Sequence, residues 1–436
     1  MTLHAWPFLG RNRPMEVARA EGAYLYTPDG QAVLDAAGGA IVANVGHGRA
    51  DVAAAISETA ARMSYVIPTW LTPERAALVE ELKSHWLPSH LNRIHLASGG
   101  SEANEAAIKI AIQYQAARGR PEKNQILSRS LSYHGTTITT AAVSGHASRK
   151  RGLESILANY NTIETPYPLR CPLGQHHPEA KDYYIDNLRR VISEVGAENI
   201  AALIAEPLNG SSGGAITPPE GYWAEAQAIL RENDILLIMD EVMTGFGRTG
   251  TKFGADLYGI EPDLLVAGKG MGGGYAAIAG CYGREEIAAA IADSPYEVMF
   301  HTFAALPISC AAATKVLQIL REESLVEQAE RTGAALRQRL TEQLGQHPHV
   351  AEIRGEGMLI GIEVVQDRET LTQFPEEDNV TGRLVQHCLA NGVFFYPGGT
   401  GVARDILCIG APLIIGEAEI EKMVTALASA LNQCLD

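Results

Sequence analysis

A lysine between two glycines ends the apolar stretch Leu264-Leu265-Val266-Ala267-Gly268-Lys269-Gly270. The four apolar residues have the length and composition of a buried strand, so we expect the lysine where that strand ends. A second apolar run, Ile235 to Met239, ends in Asp240-Glu241. Burial disfavours an ammonium ion and lowers the pKa of a lysine, which supplies the neutral amine that condenses with a carbonyl. The two stretches together predict a reactive lysine and a carboxylate at one edge of a sheet.

Short apolar runs alternate with helical stretches from about residue 50 onward. The predicted strands are Ile94 to Ala97, Gln125 to Ser128, Ile200 to Ala205, Ile235 to Met239 and Leu264 to Ala267. Runs that are apolar on both faces and separated by helices are typical of a mostly parallel sheet covered by helices. The sequence therefore predicts an α/β protein in which this sheet forms a large domain.

The two ends of the chain have other patterns. Residues 22–35 predict a small hairpin with a turn at Pro28-Asp29-Gly30. Residues 166–178 predict an irregular loop, because they contain four prolines and a glycine. The C-terminal expectations are a long helical region over 308–344, a helix before Gly392, a helix over 417–431, and strands over 358–365, 393–396 and 406–409.

Composition limits the possible functions. The 436 residues are 46% hydrophobic and carry a formal charge of -16, which disfavours nucleic acid as a partner. Six cysteines without a Cys-x-x-Cys pair indicate neither a disulfide framework nor a zinc site. No run approaches the roughly 18 apolar residues of a membrane span, and the N-terminus does not resemble a signal peptide. We therefore expect a cytoplasmic protein with no membrane association.

An anion site is predicted at Ser98-Gly99-Gly100-Ser101-Glu102-Ala103-Asn104, which follows a strand and opens a helix. Glycines let backbone amides approach a phosphate, and a helix N-terminus offers unpaired N–H groups with a favourable dipole. The alternative is an ordinary glycine turn with a serine cap.

Three further elements follow predicted strands. Tyr133-His134-Gly135 offers an aromatic face on which a cofactor ring could stack, although a core tyrosine is the common alternative. Glu206-Pro207 and Asp240-Glu241 place acids at the sheet edge, where they could also bind Mg²⁺. Lys269 favours pyridoxal phosphate, because Asp240 would then keep the pyridine nitrogen protonated.

Two other ligand sites are disfavoured. Residues 245–250 and 268–273 match the G-x-G-x-x-G spacing, but neither match begins a βαβ unit followed by an acid about 20 residues later. We therefore do not expect a nicotinamide cofactor. His176-His177 has no neighbouring ligand at metal-binding spacing, so no metal is predicted.

These motifs, with Asn44-Val45-Gly46-His47-Gly48 and Ala411-Pro412-Leu413, occur in the order and approximate spacing of class III aminotransferases. The sequence resembles that family, the ω-aminotransferase group, over nearly its whole length. The resemblance implies fold type I of the pyridoxal phosphate-dependent transferases, with a mostly parallel seven-stranded sheet and a smaller α+β domain. The implied division is an N-terminal segment 1–60 that contributes to the small domain, a large cofactor-binding domain 61–315 and a C-terminal small domain 316–436.

The resemblance also implies roles for individual residues. Lys269 would form the Schiff base and move the proton, and Asp240 would bond the pyridine nitrogen. The other implied cofactor contacts are Gly100 and Ser101 at the phosphate, Tyr133 and Val242 on the ring, His134 and Glu206 beside it, and Thr302 at the phosphate of the other subunit. A homodimer with its active site at the interface is therefore expected.

Two residues concern the substrate. Trp70 falls where the family lines its pocket, and packing at a dimer interface is the alternative. Arg404 lies near the family's arginine for the substrate carboxylate, and a surface arginine beside Asp405 is the alternative.

The resemblance implies a transaminase that moves an amino group from an amine or ω-amino acid to a 2-oxo acid such as pyruvate by a ping-pong mechanism. A decarboxylase or an aminomutase of the same fold, or a non-catalytic relative, is the alternative. The amino donor, the preferred acceptor, the pathway and the choice between dimer and tetramer remain open.

Overall fold

The computed structural model describes residues 15–435 and has the predicted α/β architecture. The strands are β1 (Arg19–Glu21), β2 (Tyr24–Tyr26), β3 (Ala32–Asp35), β4 (Arg93–Ala97), β5 (Gln125–Arg129), β6 (Thr162–Ile163), β7 (Ile200–Ala205), β8 (Leu236–Asp240), β9 (Leu264–Ala267), β10 (Ala279–Gly283), β11 (Val350–Glu356), β12 (Leu359–Val364), β13 (Val393–Phe394), β14 (Tyr396–Thr400) and β15 (Ala403–Ile409). The helices are α1 (Gly38–Ile41), α2 (Ala50–Arg62), α3 (Pro73–Glu81), α4 (Gly100–Ala117), α5 (Ile138–Val143), α6 (Ala180–Val195), α7 (Tyr222–Glu232), α8 (Gly254–Leu257), α9 (Glu285–Ala292), α10 (Pro307–Glu322), α11 (Leu325–Leu344), α12 (Val380–Ala390) and α13 (Glu417–Leu435).

The central sheet has seven strands in the order β4-β10-β9-β8-β7-β5-β6. Strands β9, β8, β7, β5 and β6 run parallel, and β10 is antiparallel to both of its neighbours. All six residues of β7 are buried, as expected for a strand covered on both faces. Helix α4 packs on one face of the sheet, and α6 and α7 pack on the other. The prediction of a mostly parallel seven-stranded sheet is confirmed.

Two four-stranded sheets complete the architecture. The predicted N-terminal hairpin is the antiparallel pair β2 and β3, and β13 adds to β3 in parallel. The second sheet has the order β11-β12-β15-β14 and contains only C-terminal strands. The division of the chain at residues 60 and 315 stays a prediction, and residues 1–14 of its first segment lie outside the described residues.

Two expectations about the C-terminal half need correction. The long helical region is two helices, because Ser324 between α10 and α11 has a φ of 51°, in the left-handed region that ends a helix. The strand expected over 393–396 is two short strands, β13 and β14, that belong to different sheets. An apolar pattern of this length does not distinguish one strand from two.

The parallel strands β7, β8 and β9 end at the same edge of the sheet. Glu206 follows β7, Asp240 ends β8, and Gly268 and Lys269 follow β9. Ligands in open α/β sheets bind outside the carboxyl ends of the strands, so this edge positions the site. No helix within residues 15–435 is long and apolar enough to cross a membrane.

Candidate active site

A cavity of about 170 Å³ lies at the carboxyl ends of the parallel strands. It brings together eight of the predicted site residues: Gly100, Ser101, Tyr133, His134, Glu206, Asp240, Val242 and Lys269. The remaining lining residues are Asn104, Gly135, Ser211, Met243 and Thr244. The volume is below the roughly 300–1,000 Å³ of typical small-molecule sites.

Asp240 is held by three donors. His134 Nδ1 lies 2.8 Å from Oδ2 of Asp240, and Nδ2 of Asn104 donates to the same oxygen at 2.7 Å. The backbone N–H of Val242 donates to Oδ1 at 3.0 Å. Since carboxylate oxygens accept hydrogen bonds, these donors fix the orientation of the side chain. The buried carboxylate is thus ready to accept one more hydrogen bond from a cation or N–H group in the cavity.

Glu206 is buried beside Asp240 and has a raised pKa. Burial raises the pKa of Glu206 to about 7, and the negative charge of Asp240 acts in the same direction. Its Oε1 atom accepts a 2.8 Å hydrogen bond from the backbone N–H of Gly210, and Oε2 accepts one from Nδ2 of Asn209 at 3.2 Å. Near neutral pH, Glu206 can therefore hold or release a proton.

Lys269 follows β9 in a left-handed backbone conformation, with a φ of 40°. A non-glycine residue at such a φ is uncommon and is found most often where function requires an unusual orientation. Burial lowers the pKa of Lys269 to about 8, and the positive charges of Arg248 and Arg149 act in the same direction. Asp240 and Glu206 oppose this shift. The amine is thus partly neutral at mildly alkaline pH and can attack a carbonyl group.

The opposite side of the cavity is the N-terminus of α4. No side chain caps the helix, because Gly99 occupies the N-cap position, so its first N–H groups remain available to an anion. Gly100 allows a close approach to the segment after β8, since a Cβ atom there would lie 2.8 Å from Cγ1 of Val242. Oγ of Ser101 accepts a 3.1 Å hydrogen bond from the backbone N–H of Thr136 and keeps its own hydrogen for a ligand.

Tyr133 forms one wall of the cavity and has two neighbours outside it. The guanidinium carbon of Arg149 lies 4.4 Å from the centre of the Tyr133 ring, and the His146 ring meets Tyr133 edge-on with the centres 6.4 Å apart. Burial lowers the pKa of His146 to about 4, and the charge of Arg149 adds to this effect. His146 is therefore neutral at physiological pH.

Three predicted site residues do not line this cavity. Thr302 is exposed, and Trp70 has 68% of its surface exposed. Arg404 donates from Nη2 to the carbonyl oxygen of Phe374 and lies 3.4 Å from Oδ2 of Asp405. Among residues 15–435, none of these three side chains lines the cavity that contains Lys269.

Sequence reasoning did not identify Ser211, Met243 or Thr244 as lining residues, and it placed Asn104 in the anion-site motif without a contact to Asp240. Asn104 stands one helical turn after Gly100, which was a usable signal, because residues four apart lie on the same face of a helix. Met243 and Thr244 follow Val242 directly. Ser211 lies in a loop after β7, and nothing in the linear pattern places it in the cavity.

The cavity combines three groups that suit one type of ligand: an amine of lowered pKa, an oriented carboxylate and an uncapped helix N-terminus. Nε2 of His134 and Oδ1 of Asn104 are buried there without a partner among residues 15–435. A ring with a basic nitrogen, an aldehyde and a phosphate group satisfies all three. No three His, Cys, Asp or Glu side chains of the described residues are grouped so that they could hold a metal ion.

Comparison with known proteins gives matches to aminotransferases. The family model for aminotransferase class III matches residues 9–431. The uncharacterized aminotransferase YodT of Bacillus subtilis is 35% identical over 422 residues, which are 95% of this chain and 94% of that protein. The putrescine–pyruvate aminotransferase of Pseudomonas aeruginosa is 32% identical over 96% of this chain and 90% of its own length.

Solved structures are similar over the whole chain. A thermostable (S)-enantioselective omega-transaminase from Thermomicrobium roseum has a TM-score of 0.93 and 34% identity, with 99% of this chain and 97% of that chain covered. An amine transaminase from an uncultivated Pseudomonas species, in its PLP-bound form, has a TM-score of 0.93 and 33% identity, with coverage of 100% and 98%.

Proposed function

This chain belongs to the class III aminotransferases, and from that membership we propose that it transfers an amino group from an amine or ω-amino acid to a 2-oxo acid such as pyruvate. The transfer has two half-reactions, so the enzyme works by a ping-pong mechanism. The observation that carries the proposal is the meeting of Lys269, Asp240 and the uncapped N-terminus of α4 in one cavity.

Relatives support this choice of substrates. One is named a putrescine–pyruvate aminotransferase, and another, from Oryza sativa, a probable gamma-aminobutyrate transaminase with 33% identity over 96% of this chain. A diamine and an ω-amino acid both present a primary amine at the end of a carbon chain. Such an amine can approach the reactive centre beside Lys269, and its own carbon carries no α-carboxylate.

The protein uses pyridoxal phosphate as its cofactor and has the corresponding fold type I. The residues present fit this group. We assign its phosphate to Gly100, Ser101 and the N-terminus of α4, and its ring to the space between Tyr133 and Val242.

Bound pyridoxal phosphate supplies an aldehyde that condenses with amines and a ring that accepts electrons from the carbon next to the nitrogen. Asp240 would accept the hydrogen bond of the protonated ring nitrogen. His134 and Asn104 hold Asp240 in place for this role. Glu206 supports the polar groups beside Asp240, and its raised pKa lets it carry a proton near pH 7.

Lys269 has two tasks in this scheme. With pyridoxal phosphate bound, its Nζ atom would hold the cofactor, and as a free amine it would move a proton between the substrate carbon and the cofactor carbon. A pKa of about 8 suits both directions of this transfer, because Nζ gains and loses a proton easily near that pH. Tyr133 covers the ring and limits the access of water.

The proposed assembly is a homodimer. The segments around Trp70 and Thr302 expose large apolar side chains, with Leu71 81%, Met299 68% and Phe303 63% exposed. A contiguous apolar surface of this kind is typical of a subunit interface. A second copy packed there would bring Thr302 to the phosphate and Trp70 to the substrate side of the neighbouring cavity. The role of Arg404 at the substrate stays a prediction.

Mixed dimers test this exchange. Lys269→Ala and Thr302→Val subunits are each expected to be nearly inactive alone, and mixing them should restore activity. In the mixed dimer one site has both Lys269 and a partner with an intact threonine. The control is the mixed dimer of a native chain and a chain with both substitutions, because neither of its two sites combines Lys269 with an intact threonine from the partner. No recovery on mixing, although mixed dimers are present by mass spectrometry, would contradict the exchange.

The reaction itself is tested with the cofactor-loaded enzyme and a panel of amines and ω-amino acids, with pyruvate as acceptor. We expect one alanine for each amino donor consumed, together with loss of the visible cofactor band when donor is added without pyruvate. Lys269→Ala should abolish both signals, and Lys252→Ala, at an exposed lysine, should change neither. Carbon dioxide release or isomerisation without an acceptor would contradict the proposed transamination.

A further inference from the structure

Arg149 lies on the aromatic wall of the cavity. Its guanidinium carbon is 4.4 Å from the centre of the Tyr133 ring, a separation typical of a cation–π contact. The residue ends a short 3-10 helix, Ala147–Arg149, and its side chain is exposed. Tyr133 lines the same cavity as Lys269, and Arg149, which does not line it, lies next to that cavity on the ring of Tyr133.

The charge of Arg149 is not neutralised by the chain. None of residues 15–435 forms an ion pair or a side-chain hydrogen bond with its guanidinium group. The neighbouring cationic groups do not compete at this position, since Lys150 donates to the carbonyl oxygen of Ala142 at 2.9 Å and His146 is neutral.

Arg404 offers an informative contrast. Its guanidinium group is already engaged by the carbonyl oxygen of Phe374 and by Asp405. An arginine in this arrangement has less capacity left for a substrate anion. Arg149 keeps all five of its N–H donors for such a group.

The chemistry of a 2-oxo acid fixes where its carboxylate must lie. The carboxyl carbon is bonded directly to the carbonyl carbon, and Lys269 must reach the carbonyl carbon to move its proton. The carboxylate therefore lies close to Nζ. Burial lowers the pKa of Lys269, and the charge of Arg149 contributes to this shift, although the effects of Asp240, Glu206 and Arg248 are larger.

We propose that Arg149 binds the α-carboxylate of the 2-oxo acid and of the amino acid formed from it. The planar guanidinium group can donate two parallel hydrogen bonds to one carboxylate, and its contact with the ring of Tyr133 holds the guanidinium group in place. Arg149 thus determines specificity in the half-reaction with the 2-oxo acid. It leaves a donor amine without an α-carboxylate unaffected. This inference rests on the proposed transamination.

Two amines that differ at one group provide the test. L-Alanine and isopropylamine both present an amine on a branched carbon, but alanine has a carboxylate where isopropylamine has a methyl group. In single half-reactions of the cofactor-loaded enzyme, Arg149→Gln should raise the half-saturating concentration of L-alanine about 10-fold or more. The value for isopropylamine should change less than about 2-fold, and Arg149→Lys should recover part of the loss.

An equilibrium measurement complements the kinetics. Propanoate should bind the cofactor-loaded native enzyme more tightly than propanamide does, as measured by calorimetry, and Arg149→Gln should remove that preference. Arg151→Gln is the matched control, because it deletes an exposed positive charge two residues away and should preserve both readouts.

The outcomes separate the two proposals. A native enzyme that reacts with neither amine contradicts the transamination and this inference with it. Suppose that the native enzyme reacts with L-alanine, that Arg149→Gln has the same half-saturating concentration for L-alanine, and that this variant still binds propanoate more tightly than propanamide. Only the role of Arg149 is then overturned. An equal loss for both amines also overturns it, because that result indicates a structural support of Tyr133.

Discussion

The side-chain amide of Asn104 donates a 2.7 Å hydrogen bond to Oδ2 of Asp240. The bond joins helix α4, which begins at the anion site, to strand β8, which carries the carboxylate. Both residues are buried, so water does not replace the bond easily. The two ends of the cofactor site are thereby held in a fixed relative position.

Replacing Asn104 tests the importance of that bond. Asn104→Ala should lower kcat about 10-fold, because hydrogen bonds to charged groups contribute about 1.5–3 kcal/mol. Asn104→Asp should be more harmful, since it places a second carboxylate beside Asp240. Steady-state transamination and cofactor absorbance are the measurements, and Asn124→Ala, at an exposed asparagine, is the control. Native turnover in Asn104→Asp would show that Asp240 does not depend on this contact.

The contact with Asn104 also shows the limit of sequence reasoning at this site. Glu206, Asp240 and Lys269 were predictable, because each follows a continuous apolar run and parallel strands end at one edge. Which side chain of α4 meets Asp240 depends on how the helix lies across the sheet, which a single sequence does not specify. The cation–π contact of Arg149 with Tyr133 has the same origin in tertiary packing.

The fold was predictable to a similar degree. Strands β7, β8 and β9 correspond to long apolar runs, and the predicted bounds agree within one residue. Strand β10 was missed because Gly280 and Gly283 interrupt its apolar pattern, and glycine is depleted in strands. Its place between β4 and β9 completes the sheet by long-range pairing, which no local signal indicates.

The lowered pKa of Lys269 predicts how cofactor uptake depends on pH. Without cofactor, about one tenth of the amine is neutral at pH 7 and about half at pH 8, if its pKa is about 8. Only the neutral form attacks the aldehyde, so the rate of covalent cofactor attachment should rise with pH and level off above about 9. Stopped-flow absorbance of cofactor-free enzyme measures this rate. A rate that still increases steeply at pH 10 would indicate an unshifted lysine.

The close approach of Gly100 to Val242 predicts a specific steric effect. Gly100→Ala adds a Cβ atom 2.8 Å from Cγ1 of Val242, so it should weaken equilibrium binding of pyridoxal phosphate by about 10-fold or more. The double variant Gly100→Ala/Val242→Ala should bind more tightly than Gly100→Ala alone, because it removes the clash. Gly99→Ala is the control, since its Cβ would meet nothing within 4 Å. Equal affinities of the two single variants would rule out this steric effect.

Arg354 connects the C-terminal sheet to the loop that contributes Ser211 to the cavity. Its guanidinium group donates to the carbonyl oxygens of Gly213 at 2.6 Å and Gly214 at 2.8 Å, and to Glu363 at 2.7 Å. Burial raises the pKa of Glu363, but the charges of Arg354 and Arg170 outweigh that effect and lower the pKa. The stabilisation is therefore present above the ordinary glutamate pKa of 4.5 and is lost as the pH falls below it.

Removing Arg354 should destabilise the protein because it leaves Glu363 buried and charged. Arg354→Met should lower the free energy of unfolding by about 3–5 kcal/mol, and Arg170, which still pairs with Glu363, favours the lower end of that range. Arg354→Met/Glu363→Gln should recover only part of the loss, since it removes the buried charge of Glu363 but leaves Arg170 without its carboxylate partner. Chemical denaturation of the cofactor-loaded enzyme at pH 7 and at pH 4 measures both effects, and the difference between native enzyme and Arg354→Met should shrink at pH 4. A double variant as unstable as the single one would show that the bonds to Gly213 and Gly214, and not the charge of Glu363, account for the stabilisation.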